Sequence, residues 1–145
     1  MSTLPPLSIR QATGDDGAAI AALLADLGYP CTAGQARAQL AALDGSADAV
    51  FLALSGDAPA GLVATHLMRM LHTEGHWCRI TDLVVAAPHR RRGLATALLR
   101  HAEEFARASG ATRVELTCST SREAAHQFYA RNGYASRSTR FYKPL

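Results

Sequence analysis

The chain has little of what would cross-link, anchor or export a protein. Its 145 residues include three cysteines, an odd number without C-x-x-C spacing. That excludes a disulfide framework and favours a reduced protein whose thiols are structural. No apolar run approaches the length of a membrane span, and residues 1–6 have neither the charged start nor the apolar core of a secretory signal. We therefore expect a cytoplasmic protein that does not enter membranes.

Charge is also scarce. Charged residues make up 19% of the chain against 48% hydrophobic residues, which excludes a disordered chain. No repeat or linker is visible, so we predict one domain over 1–145. The net charge is +3, and the adjacent Arg90, Arg91 and Arg92 account for all of it. Such a local excess favours a small anionic ligand, because a nucleic-acid site needs longer basic stripes interleaved with aromatic residues.

Hydrophobic periodicity and turn residues predict a mixed α/β (α+β) chain. Helices are expected between 16 and 28, from a capping box at Thr32 and Gln35 to about 43, over 94–109, and from a second capping box at Thr120 and Glu123 to 132. Strands are expected at 7–10, 49–54, 61–70, 76–85, 113–118 and 139–143.

The most informative segment joins the fourth predicted strand to the long helix. Pro88 ends the strand, and Gly93 precedes the helix. Glycine lets a ligand approach the backbone, and the first N–H groups of a helix have no partner of their own. With the arginines, they predict an anion site that suits a pyrophosphate, against the alternative of a turn with solvated arginines. The predicted residues are Arg90, Arg91, Arg92, Gly93, Leu94, Ala95 and Thr96.

The loop resembles the coenzyme A loop of the GCN5-related N-acetyltransferases (GNAT superfamily). The family pattern Gln/Arg-x-x-Gly-x-Gly/Ala is matched by Arg90, Gly93 and Ala95, with Val85 at the usual distance before it. A proline that often follows that valine by two residues is replaced by Ala87, and Pro88 comes next.

This resemblance implies the GNAT fold, a mixed central sheet of about six to seven strands flanked by about four helices. It also implies acetyl-CoA as cosubstrate and a possible homodimer. At a bulge in the fourth predicted strand (76–85), backbone groups of Leu83, Val84 and Val85 would hold the thioester carbonyl and the pantetheine. Such donors stabilise a developing oxyanion.

A second segment is similar to the family pattern Ala-x-x-Phe-Tyr-x-x-x-Gly-Phe/Tyr, through Ala125, Phe128 and Tyr129. By this resemblance these residues contact the coenzyme, and Tyr129 lies near its sulfur. A phenol stays protonated at neutral pH, so Tyr129 could protonate the departing thiolate. The alternative is that the two aromatics only pack. Many relatives carry Asn where this chain has Arg122, which would instead meet a phosphate or an acidic acceptor.

The acceptor amine must lose a proton before it attacks, and Asp82 is the first candidate base. The two-residue strand period places it on one face with His76, Cys78 and Ile80. Glu74 or His76 could substitute, and all three could bind the acceptor. The competing interpretation is that Asp82 only binds the amine or pairs with an arginine.

The sequence predicts neither a nucleophilic cysteine nor a metal-binding histidine. Cys78 and Cys118 lie in strand patterns where a buried thiol behaves as a small apolar group, so neither is expected to be a nucleophile. His66, His72 and His76 are grouped around one hairpin. A divalent metal there is conceivable, but surface or substrate-facing histidines are favoured and no metal ligand is predicted.

A narrower resemblance is to the aminoalkylphosphonate N-acetyltransferases, in which the acceptor is a small amine with a phosphonate and a divalent metal is implicated. It rests on dispersed residues: His72, His76, Trp77, Ile80, Leu83, Val84, Val85, Arg122, Ala125, His126, Phe128, Tyr129, Arg140, Phe141 and Lys143. The first hypothesis is thus an acetyl-CoA-dependent transferase acting on a small-molecule amine in a ternary complex. A coenzyme-bound sensor or partner-binding module and an acetyltransferase of protein or peptide amines are the alternatives.

Overall fold

The computed structural model describes residues 3–145, which form five strands and four α-helices. The strands are β1 (Leu7–Gln11), β2 (Asp48–Ser55), β3 (Ala58–Arg69), β4 (His76–Val85) and β5 (Ala111–Leu116). The helices are α1 (Gly17–Leu27), α2 (Ala33–Ala42), α3 (Leu94–Ala108) and α4 (Glu123–Arg131). Short 3-10 turns occupy Gly14–Asp16 and Ala87–His89. No helix of the described residues is long and apolar enough to span a membrane.

The strands form one sheet in the order β1-β2-β3-β4-β5, and β1 to β4 pair antiparallel. Along β5 the Thr112 hydroxyl donates to the His76 carbonyl (3.4 Å), and Glu115 pairs with Arg79 (2.9 Å). In each of these two pairs the residues are 36 positions apart in the sequence. A constant offset means that β4 and β5 run parallel, with α3 as the crossover between them.

Successive residues of the central strands face different helices, as strand alternation requires. Val50 and Leu52 pack in a cluster with α1 and α2, on what we call the first face. Phe51, between them, meets the rings of His101 and Phe105 of α3, which covers the second face. The sheet is therefore covered by helices on both faces.

Gly61 sets the position of α3 on the second face. A Cβ on Gly61 would lie 2.9 Å from Leu98 Cδ1 and 2.9 Å from the Val84 carbonyl oxygen. Leu94 and Leu98 are fully buried beside it. The absent side chain thus lets the first turns of α3 approach the backbone at the end of β4, which fixes where the β4–α3 loop must turn.

Local hydrogen bonds fix the ends of α1 and α2. Asp16 accepts from both terminal nitrogens of Arg10 (2.8 Å each) and from the Thr13 N–H (2.7 Å), which joins β1 to the start of α1. At α2 the capping box is confirmed: the Gln35 N–H donates to the Thr32 hydroxyl, and the Thr32 N–H donates to the Gln35 side chain.

The structure corrects two expectations near the C-terminus. The sheet has five strands instead of six to seven, because 139–143 has no strand. Phe141 and Tyr142 are 91% and 80% exposed, so no buried face supports their β propensity. The capping box at Thr120 is also wrong: α4 begins at Glu123 with Arg122 as an N-cap that makes no side-chain capping bond.

The chain divides into two compact units, the first reaching to Glu115 and the second covering Leu116–Leu145. A single functional domain over 1–145 stays a prediction.

Candidate functional site

The β4–α3 loop has the backbone of a tight anion-binding turn. Arg91 has a φ of 62°, the one positive value among the non-glycine residues that the structure describes, and Gly93 has a φ of 75°. Gly93 is the N-cap of α3 and offers no side chain to cap it. The Ala97 N–H bonds to the Gly93 carbonyl (3.0 Å), so the amides of Leu94, Ala95 and Thr96 precede the first helical bond.

Space beside this turn is open. A Cβ on Gly93 would meet no atom within 4 Å, so the glycine is required by its backbone conformation and not by a packed neighbour. Unpartnered amides at the positive end of a helix, next to open space, fit one or two phosphate groups.

The three arginines of the loop differ in their contacts. Arg92 donates to Ser55 Oγ (3.0 Å), to the Pro5 carbonyl (3.2 Å) and to His89 Nδ1 (3.3 Å). It therefore ties the loop to other parts of the fold. Arg90 and Arg91 are exposed, and Arg90 Nε donates to the Val85 carbonyl (3.1 Å). These two guanidinium groups are the better placed to meet an anion in solvent.

A β-bulge at Thr81 interrupts β4. Ile80 pairs with Thr65 and Asp82 pairs with Ala64, so Thr81 is the extra residue. The prediction that Asp82 shares a face with His76, Cys78 and Ile80 is wrong, because one extra residue reverses the alternation. Asp82 lies on the first face, whereas Ile80 lies on the second.

The directions of the N–H groups beyond the bulge follow from the pairing of β4 with β3. The Ala86 N–H donates to the Ala60 carbonyl of the segment that forms β3 (2.8 Å). Alternation in an antiparallel pair then directs the N–H groups of Leu83 and Val85 away from β3, and that of Val84 towards it. On that side β5 ends one residue after Glu115, whereas β4 continues to Val85.

A cavity of about 610 Å³ opens on the first face, between the sheet and α1–α2. Asp82 and Thr81 line it. So do Asp48 and His66, whose Oδ1 and Nδ1 are 2.5 Å apart. Glu74 and His76 do not: Glu74 is exposed in the β3–β4 turn, and His76 lines a separate pocket of about 210 Å³. Glu74 and His76, the two residues named as possible substitutes for Asp82, therefore do not line the cavity that Asp82 lines.

The histidines around this hairpin have different partners. His66 pairs with Asp48, and the His72 ring packs edge-on to Trp77 at 5.6 Å. Within residues 3–145 there is no group of three or more His, Cys, Asp or Glu arranged to hold a metal ion.

Tyr129 lies on α4 and is half-buried, in contact with the rings of Phe128 (5.2 Å) and Tyr134 (5.9 Å). Burial raises the pKa of Tyr129 above its ordinary value of 10.0, with Cys118 adding to the effect and Arg122 opposing it. The phenol is thus a proton donor throughout the neutral range. Burial also raises the pKa of Cys78 to about 11, which agrees with an inert thiol.

Comparison with known families decides the class of this protein. The acetyltransferase (GNAT) family matches residues 19–134. The chain belongs to the GNAT acetyltransferase family. Membership confirms the family resemblance that the sequence suggested.

Relatives and solved structures agree with that assignment. Over 94 residues this GNAT acetyltransferase is 38% identical to a protein named aminoalkylphosphonate N-acetyltransferase from Salmonella typhimurium. The match spans 65% of this chain and 61% of that relative, about three fifths of its length. A GNAT family acetyltransferase from Staphylococcus aureus has a TM-score of 0.83 at 22% identity, covering 96% of this chain and 98% of the other. An aminoglycoside acetyltransferase from an uncultured soil metagenomic sample, in complex with sisomicin, has a TM-score of 0.80 at 18% identity, covering 96% of each.

Sequence reasoning missed the Asp48–His66 pair in this GNAT acetyltransferase. The two residues are 18 positions apart and meet only through strand register, in which Asp48 lies opposite His66. The available signal was weak: a charged residue before the apolar run of β2, and a histidine inside that of β3.

Proposed function

We propose that this chain is an acetyl-CoA-dependent N-acetyltransferase that transfers acetyl directly to the primary amine of a small molecule. The observation that carries the proposal is the open turn at Gly93, with the amides of Leu94, Ala95 and Thr96 at the start of α3, in a chain of the GNAT acetyltransferase family. When bound, acetyl-CoA supplies an activated acetyl group as a thioester.

The loop has the donor chemistry for the pyrophosphate of the coenzyme. Helix-end amides donate to phosphate oxygens, and Arg90 and Arg91 add positive charge next to them. Arg92 holds the loop in place through its contacts with Ser55 and Pro5. In this proposal Arg92 acts mainly by positioning the amides.

The amides of Leu83 and Val85 are proposed to hold the thioester carbonyl and the pantetheine. Their direction away from β3 and the early end of β5 support that role. An N–H aimed at the carbonyl oxygen stabilises the negative charge that develops on it during attack. Arg122, Ala125 and Phe128 keep the coenzyme contacts that the family resemblance implies.

Asp82 is the proposed proton acceptor for the acceptor amine. It lines the cavity on the first face, which is large enough for a small substrate. The ammonium gives a proton to the Asp82 carboxylate, directly or through a water, and the freed lone pair attacks the thioester carbon. Binding the ammonium without removing its proton is the alternative role.

Tyr129 is the proposed proton donor to the leaving group. As the C–N bond forms and the C–S bond breaks, the thiolate takes the phenolic proton. The nitrogen gives its second proton to water, and water returns a proton to Tyr129, so the products are a neutral amide and free coenzyme A. The raised pKa of Tyr129 supports this role because it keeps the phenol protonated at the pH of the reaction.

A coenzyme-release assay over an amine panel tests the proposal. The panel contains aminoalkylphosphonates, diamines, amino acids, aminoglycosides and a peptide with a free N-terminus, with mass spectrometry of the acetylated product. The name of the Salmonella relative makes an aminoalkylphosphonate the first amine to test. Amine-dependent release with an acetylated product supports the proposal, and binding of acetyl-CoA without transfer to any amine would instead indicate a sensor module.

A further inference from the structure

The cavity on the first face carries negative charge. Asp48 and Asp82 line it, and no Arg or Lys does so among the residues that the structure describes. Arg79 lies opposite His66 in the strand register, but its guanidinium bonds to Glu115 of β5 (2.9 Å). The rest of the lining is mostly apolar, from α1, α2 and the inward residues of β2 and β3. An ammonium with a short hydrocarbon body complements this lining, whereas a phosphonate would face two carboxylates.

The Asp48–His66 pair gives the cavity a second polar group. Asp48 Oδ2 accepts from the Asp44 N–H (3.0 Å) and Oδ1 meets His66 Nδ1, so both carboxylate oxygens are engaged by donors. In the tautomer that donates from Nδ1 to Asp48, the Nε2 of the His66 ring is an acceptor. The His66 side chain is 44% exposed and lines the cavity.

Strand register sets the distance between the two polar groups. Asp82 lies opposite Ala64, and His66 follows Ala64 by two residues on the same face. In a regular ladder such diagonal neighbours are about 7–8 Å apart, and the Thr81 bulge adds its extra residue on the β4 side of this pair. The span suits a substrate with two amines on a short chain, one at Asp82 and the other at the Asp48–His66 pair.

We infer that the acceptor of this enzyme is a short aliphatic diamine, with the amine to be acetylated at Asp82 and the second ammonium donating to His66 Nε2 beside Asp48. This inference rests on the proposed function and narrows its substrate class. It also separates this chain from the phosphonate acceptor that its Salmonella relative's name indicates. The bonds made and broken in the transfer are those given above.

Three acceptors test the inference. Putrescine has four carbons and two terminal amines, butylamine has the same carbon chain with one amine, and aminoethylphosphonate has one amine and an anion. With acetyl-CoA, kcat/KM for putrescine should exceed that for butylamine at least tenfold, with aminoethylphosphonate lowest. Equal values for putrescine and butylamine, or a preference for aminoethylphosphonate, would overturn the inference.

Two substitutions locate the effect. In His66→Leu and in Asp48→Asn the ratio of putrescine to butylamine should fall towards one. Asp57→Asn removes an exposed carboxylate in the β2–β3 turn, outside the cavity, and should keep the wild-type ratio. A ratio that falls equally in all three variants would show a general charge effect and refute the role of the pair.

A binding readout separates this inference from the proposed function. Thermal stabilisation of the whole chain by each amine, measured without acetyl-CoA, reports the cavity alone. A larger shift with putrescine, together with no acetylation of any amine, would leave the inferred selectivity standing and remove the transferase assignment. Acetylation of amines with no preference for putrescine in either assay would support the transferase assignment and remove the inferred selectivity.

Discussion

Replacing Gly93 by alanine isolates the turn on which coenzyme binding is proposed to depend. Gly93 has a φ of 75°, and a Cβ there would touch nothing within 4 Å. The free energy of unfolding should therefore fall only by the cost of placing a non-glycine residue in the left-handed region, about 1 kcal/mol. This corresponds to a decrease in Tm of about 3 °C. The new methyl group would occupy the space through which a pyrophosphate reaches the amides of Leu94 and Ala95. We expect the Kd for coenzyme A to rise at least tenfold, about 1.4 kcal/mol.

Gly110→Ala is the matched control. Gly110 follows α3 as Gly93 precedes it, has a φ of 83°, and would likewise place its Cβ in open space. Urea denaturation should give both variants a similar loss of stability, while calorimetric titration with coenzyme A should separate them. If Gly93→Ala and Gly110→Ala bind coenzyme A with equal affinity, the backbone of this turn does not hold the pyrophosphate.

Three further changes test other parts of the structure. Tyr129→Phe should lower kcat roughly 100-fold without changing the Kd for coenzyme A; unchanged steady-state turnover would remove its acid role. Gly61→Ala forces a Cβ to 2.9 Å from Leu98 and should destabilise the fold by about 1–3 kcal/mol in urea; no loss would mean that α3 can shift. Hydrogen bonds from Arg10 lower the pKa of Asp16 to about 2 from 3.8. This contribution to stability is complete above pH 4 and is lost as the pH falls towards 2. Asp16→Asn should therefore flatten the dependence of Tm on pH in that window. If Tm falls as steeply with pH in the Asn variant as in the wild type, Asp16 is not the cause.

Features set by neighbours in the sequence were mostly predicted, and the capping box at Thr120 and Glu123 is the exception. The capping box at Thr32 and Gln35 involves residues three apart. The helix ends expected near 28, 109 and 132 are each marked by a glycine of positive φ, at 28, 110 and 133. The turn at Gly93 is equally local, because strand end, glycine and helix start follow one another. An anion-binding role can be proposed for it because helix-end amides bind anions in any fold.

Features set by register could not be predicted. The family resemblance implied a bulge in this strand, but hydrophobic periodicity did not place it at Thr81, where it moves Asp82 from the second face to the first. The pair of Asp48 with His66 depends on how β2 aligns with β3, which periodicity does not fix. The contact of Arg92 with Pro5 joins residues 87 positions apart. A run of three arginines gives no sign that one of them is a structural brace.

The contact of Arg92 with Pro5 makes the segment before β1 part of the support of the β4–α3 loop. Pro5 offers its carbonyl to Arg92, and the Pro6 carbonyl accepts from the Gly56 N–H in the β2–β3 turn (2.9 Å). Two consecutive prolines restrict that segment to few backbone conformations, so the carbonyls are held ready at low entropic cost. Fusions or truncations that disturb the segment ahead of β1 should accordingly loosen the β4–α3 loop about ninety residues downstream, and so weaken the proposed binding of the acyl donor without unfolding the protein.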